Sequence, residues 1–117
     1  MTPSVVSARV IGRRLKMIQG LLQQVRALPL DSLDVFLADA RNSSAAESCL
    51  RRSLEALLDI GRHMLAKGYG VAASEYKEIP KLLQKHRVLA EDDAQTLYTL
   101  AGYRNRMLHF YYEVTEE

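Results

Sequence analysis

The chain has 117 residues, 48% of them apolar, with sixteen basic and fourteen acidic side chains and a net charge of +2. That suits one globular domain, is too short for two, and is too weakly charged to argue nucleic-acid binding by itself. No apolar run approaches the roughly 20 residues a membrane-spanning helix needs, and a lone cysteine, Cys49, excludes an internal disulfide.

Leucine and alanine together number thirty-one against twelve for valine and isoleucine, and there is no tryptophan, so the composition leans helical. The opening stretch, Met1 to Leu30, scatters Arg9, Arg13, Arg14 and Lys16 among its apolar positions and is not patterned as a secretory signal. The expected compartment is reducing cytoplasm.

The first helix is marked by Ala8, Ile11, Leu15, Ile18, Leu22 and Val25, whose gaps of three and four predict one apolar stripe. Gly12 and Gly20 inside it imply a packing reason, and Pro29 is expected to close it. A short helix is predicted from Ser32 to Asp39. Ser44 followed by Glu47 has the spacing of a capping box and predicts the start of a third helix. Its stripe is Leu50, Leu54, Leu57, Leu58, Gly61 and Leu65, widened by Cys49, Ala56 and Ile60, which predicts a central position. Gly68 and Gly70 are expected to end it.

A loop and a helix around Ile79, Leu82 and Leu83 follow, with Pro80 in the first turn. The last helix is expected from Ala90, with Glu91, Asp92 and Asp93 favoured by the helix dipole. Nothing alternates with a period of two, so no sheet is expected. The predicted fold is all-α: an up-and-down helical bundle of four to five helices, built around the first and third.

Charge alternates in blocks. Residues 1–30 carry five basic and no acidic side chains, 31–60 three and six, 61–89 six and two, and 90–117 two and six. Either neighbouring helices have complementary surfaces, or a basic surface awaits a polyanion.

The pattern breaks on the last helix, where the stripe Leu97, Ala101, position 104, Leu108 meets Arg104. A guanidinium in a core-facing seam is costly unless an anion meets it or a carboxylate such as Glu47 or Glu55 pairs with it. Asn105 and His109 share the adjoining face. Arg104 and His109 are five residues apart, roughly 140° around a helix and 7.5 Å along it, so they do not naturally converge on a small ligand. Three solutions remain open: the helix ends near His109, where the ring would cap it, a long substrate spans both groups, or a second copy supplies partners across a two-fold axis. The third is favoured. His63 and His86 read as surface or cap residues, and no His-x3-5-His spacing suggests zinc. Cys49 reads as core, and Gly68-Tyr69-Gly70 is too short for a phosphate loop.

At Arg104-Asn105-Arg106-Met107-Leu108-His109 the chain resembles the HEPN superfamily, whose signature is Arg-x4-His. The continuation Phe110-Tyr111 extends this to Arg-x4-His-x-Tyr, similar to the HepT toxin branch, and Ala101-Gly102-Tyr103 agrees. The segment from Leu54 to His63 is similar to that branch's central helix. The resemblance spans roughly residues 5–114 and implies a single domain over 1–117, with the usual further helix beyond the motif missing.

It also implies a metal-independent endoribonuclease, the toxin of a type VII-like toxin–antitoxin pair. Its partners would be RNA (transfer or messenger), an MntA-like minimal nucleotidyltransferase that silences it by AMPylation, and a second copy in a homodimer or higher even oligomer. No membrane and no cofactor or metal is called for. Carried onto this chain, Arg104 and His109 become catalytic, Asn105 supporting, and Tyr111 the AMP acceptor. Two other classes compete: a non-catalytic helical partner subunit of a nucleotidyltransferase, with Arg104 holding a phosphate, and a purely structural dimerisation bundle.

Overall fold

In the computed structural model, residues 6–116 are described, with side chains described for 6–108. Five helices follow one another among them: α1 (Ala8–Arg26), α2 (Leu33–Ala38), α3 (Ala40–Tyr69), α4 (Glu78–Lys85) and α5 (Glu91–Glu116). The all-α expectation is met, and no strand occurs among the described residues. Helix α3 touches each of the others, while among the described residues α1 packs on no helix but α3. The cross-links Arg14–Asp59 and Cys49–Gln24 pair later residues of α1 with earlier residues of α3, so these two helices run antiparallel.

Three polar caps set the helix starts. The Ser7 hydroxyl accepts from Val10 N–H, Ser32 from Val35 N–H, and the Asp39 carboxylate from Arg41 N–H at 3.0 Å. Asp39 therefore starts α3 at Ala40, four residues before the expected capping box. The Arg41 guanidinium beside Asp39 holds its carboxyl below the usual carboxylate range and favours this earlier start. Glu47 is free of capping duty and pairs with Arg51 one turn on at 3.0 Å. At the other end Gly70 adopts φ 65°, the left-handed region in which a side chain is strained, and its N–H bonds Ala66 C=O. Gly68 lies inside the helix.

The core forms where α3, α4 and α5 meet, rather than around the first and third helices. Leu58 and Leu65 of α3, Ile79 and Leu83 of α4, and Leu97 and Ala101 of α5 are buried together. Gly61 permits this approach, since a Cβ there would lie 2.7 Å from Ile79 Cγ2 and 3.0 Å from Leu83 Cδ1.

Helix α1 departs most from expectation. Leu21 is its one buried residue, Leu15 is 46% exposed, and a Cβ at Gly12 or Gly20 would meet nothing within 4 Å. The stripe faces partly outward, so among the described residues the two glycines have no packing reason. The helix also stops at Arg26, three residues before Pro29. Leu33, Val35 and Leu37 of α2 are exposed as well.

Candidate functional site

Along α5 the side chains of Ala94, Leu97 and Ala101 are buried, and Arg104 stands next on that face. The guanidinium does occupy the seam that the sequence reserves for hydrocarbon. Three groups meet it. Its carbon lies 4.7 Å from the centre of the Tyr76 ring, Nη1 donates to Asn105 Oδ1 at 3.1 Å, and Nη2 is 3.5 Å from Glu55 Oε2. The pairing with Glu55 left open by the sequence is thus present, as a loose ion pair. The short hydrogen bond of Glu55, 2.7 Å, goes to Arg51, whose guanidinium is raised further above its ordinary value by it.

Tyr76 comes from the segment between α3 and α4, and its hydroxyl donates to Asp59 Oδ1 at 3.2 Å. The Arg62 guanidinium also lies against the ring, 4.8 Å from its centre. Asp59 further meets Arg62 at 3.3 Å and Arg14 of α1 at 3.6 Å. Burial, followed by the Asp59 charge and hydrogen bond, pushes the Tyr76 phenol above its ordinary value. Four arginines from three elements, Arg14, Arg51, Arg62 and Arg104, therefore surround two carboxylates and one phenol. The Nε atoms of Arg14, Arg62 and Arg104 are buried without a hydrogen-bond partner among the described residues. Each is an unused donor.

A cleft of about 210 Å³ opens between α1 and α3, and it reaches the Arg104 cluster through Glu55 and Asp59. Its walls include Arg14, Met17, Arg51, Glu55 and Asp59. Tyr76 and Asp59 were not singled out in the sequence. The one signal for Asp59 was the charge complementarity between the basic first block and the acidic second, which Arg14–Asp59 realises, and nothing in the sequence pointed to Tyr76.

Of the expected site residues, Arg104 and Asn105 are brought into contact. His109 and Tyr111 lie on α5, but their side chains fall outside the described residues. The helix runs on past His109 to Glu116, which removes the option of a helix ending at the motif and of His109 as its cap. The other histidines are occupied elsewhere. His63 Nε2 accepts from Ser7 N–H at 3.1 Å, tying the start of α1 to α3, and is neither a surface residue nor a cap of its own helix. His86 caps α4 and packs on Tyr69 with ring centres 4.6 Å apart. Cys49 is buried, as expected of core.

No described helix is long and apolar enough to cross a membrane. No curated protein matches the chain as a relative. The family described as Ribonuclease HepT-like matches residues 17–117, which takes in α3, the Tyr76 segment and the whole Arg-x4-His-x-Tyr motif. The chain belongs to the HepT-like ribonuclease family of HEPN type.

Proposed function

We propose that this chain is a metal-independent endoribonuclease, the toxin of a type VII-like toxin–antitoxin pair. The observation that carries the reading is the state of Arg104. Its guanidinium is stacked on Tyr76, bonded to Asn105 and loosely paired with Glu55, yet keeps Nε without a partner among the described residues. A part-buried cation fixed in advance by its neighbours suits the charge that develops on a phosphorane.

His109 takes the proton from a ribose 2′-hydroxyl, and the 2′-oxygen attacks the adjacent phosphorus while Arg104 holds the phosphate oxygens. The P–O5′ bond breaks, and the leaving oxygen takes a proton from an imidazolium. The products are a 2′,3′-cyclic phosphate and a 5′-hydroxyl. Asn105 orients Arg104 through their hydrogen bond.

A second copy of the chain supplies the second histidine. In support, Met17 stays exposed beside the α1–α3 cleft, and the α3 face there carries both signs of charge, Arg51 and Arg52 with Glu55 and Asp59, which a second copy can meet with opposite charges. Tyr111 is the site of control. Its phenol oxygen attacks the α-phosphorus of ATP in an MntA-like nucleotidyltransferase, releasing pyrophosphate and leaving AMP beside the motif to repel RNA.

Folded Arg104→Ala and His109→Ala chains lose RNA cleavage by about 100-fold or more. Parental cleavage by either removes that residue from the mechanism. Incubation with the cognate nucleotidyltransferase and ATP adds the mass of AMP at Tyr111, and no increment removes the control claim. The Glu55–Arg104 pair favours a second reading, a non-catalytic partner subunit of a nucleotidyltransferase. That reading predicts tight binding to the enzyme and no cleavage of RNA.

A further inference from the structure

Two cavities lie side by side between α4 and α5, away from the α1–α3 cleft. One, about 240 Å³, is lined by Lys81, Gln84, Gln95 and Tyr98 among others. The second, about 330 Å³, shares Gln95 and Tyr98 and continues to Lys77, Asn105 and Arg106. Together they form one groove, with the Tyr98 ring between its halves. Along α5 it extends from Gln95 to Asn105, about 15 Å of helix. Every charged residue lining it is a cation: Lys77, Lys81 and Arg106. The ammonium groups of Lys77 and Lys81 sit 5.4 and 5.2 Å from the centre of the Tyr98 ring. Asn105, at the far end, is the residue that accepts from Arg104.

We propose that this groove holds the single-stranded RNA flank leading into the Arg104–Asn105 site, with Tyr98 stacking an unpaired base and Lys77, Lys81 and Arg106 contacting phosphates. The assignment rests on the ribonuclease reading and adds the path of the substrate.

A cationic groove with an aromatic ring set into it is how proteins hold single strands, because every base offers a face to stack and every nucleotide a phosphate to pair. A duplex offers no free base face at this width. An exposed ammonium is a weaker partner for the ring than a base, so the incoming base displaces one lysine. Its flexible stem then carries the charge to the neighbouring phosphate. Glu91, Asp92 and Asp93 crowd the first turn of α5, just before Gln95. Their repulsion closes that end to phosphate and directs the strand towards Arg106 and Arg104.

The test uses the full chain carrying His109→Ala, so that RNA is bound without being cut, and a short fluorescein-labelled single-stranded RNA followed by anisotropy over a salt series. Adding Tyr98→Ala weakens binding about 10-fold or more, whereas Tyr98→Phe stays within about 2-fold. Lys77→Ala with Lys81→Ala weakens binding and lowers the salt slope by about 1.4. This pair decides the matter if Tyr98→Ala fails to fold. Displacement of the RNA by a polyglutamate peptide of equal charge overturns the proposal, because it marks a site for acidic protein without stacking. Unchanged RNA binding in both the Tyr98→Ala and the lysine variants overturns it too. If the parent chain still cuts RNA in that case, the ribonuclease reading survives and only the path is wrong. If the parent neither cuts nor binds RNA, both fall.

Discussion

The guanidinium carbon of Arg104 stands 4.7 Å from the centre of the Tyr76 ring, and that of Arg62 stands 4.8 Å from the same ring. A residue from the α3–α4 segment thus fixes the cation of a motif nearly thirty positions later in the chain. Tyr76→Leu removes the stacking and the bond to Asp59, and is expected to lower stability by about 2–3 kcal/mol in urea unfolding. RNA cleavage by the folded fraction falls at least about 10-fold, since Arg104 loses its platform. Tyr76→Phe keeps the ring and is expected to retain most of the cleavage. Equal losses in the two variants count against a positioning role for the ring.

The same residue gives the fold an alkaline limit. The Tyr76 phenol is raised above its ordinary value by burial, then by Asp59. Above pH of about 10 the unfolded chain releases this proton while the folded chain keeps it. The unfolded state then binds fewer protons, so stability falls as pH rises through that range, and below it the group contributes no slope. Urea midpoints taken from pH 8 to 11 should fall more steeply for the parent than for Tyr76→Phe. Parallel curves contradict the assignment.

Glycines separate packed surface from open surface. Gly61→Ala forces a methyl group against Ile79 and Leu83 and is expected to cost about 1–3 kcal/mol. Gly12→Ala and Gly20→Ala meet nothing among the described residues and, in dilute monomer, should each stabilise by up to about 1 kcal/mol through helix propensity. Thermal unfolding of the three variants reads these signs directly. If a second copy packs closely over α1, the gain at Gly12 and Gly20 disappears at high concentration.

The sequence announced the core-facing side of α5 and its interruption, because a period near 3.6 is legible and Arg104 violates it. The interior of α3 was legible for the same reason. Its start was not, because Asp39 and Ser44 both offer a capping oxygen and only the grip of Arg41 on Asp39 separates them. The stripe on α1 was read correctly as apolar, yet Ala8 and Leu15 on it stay exposed, since periodicity reports which face is apolar and not what covers it. Tyr76 and Asp59 escaped because their meeting depends on how the α3–α4 segment folds back, for which no local pattern exists. The bond between Arg104 and Asn105 was not foreseen, because helix periodicity places Asn105 with His109 on the adjoining face.

Pairing of two chains is testable apart from catalysis. Met17, 44% exposed, borders the cleft with Arg51 and Glu55. Met17→Asp puts a carboxylate where a second copy would bury a thioether, while altering little within the monomer. Sedimentation velocity should show a dimer for the parent and a monomer for this variant, with cleavage falling alongside. A parent chain that remains monomeric at every concentration contradicts the shared site.

The most direct measurement is the chemistry of the cut ends. Parent chain and a 5′-labelled single-stranded RNA are incubated with EDTA, and the fragments are examined by mass spectrometry. Attack by the 2′-oxygen under His109 and Arg104 predicts fragments ending in a 2′,3′-cyclic phosphate, with 5′-hydroxyl partners. RNA left intact, or fragments ending in a 3′-hydroxyl, would contradict the account.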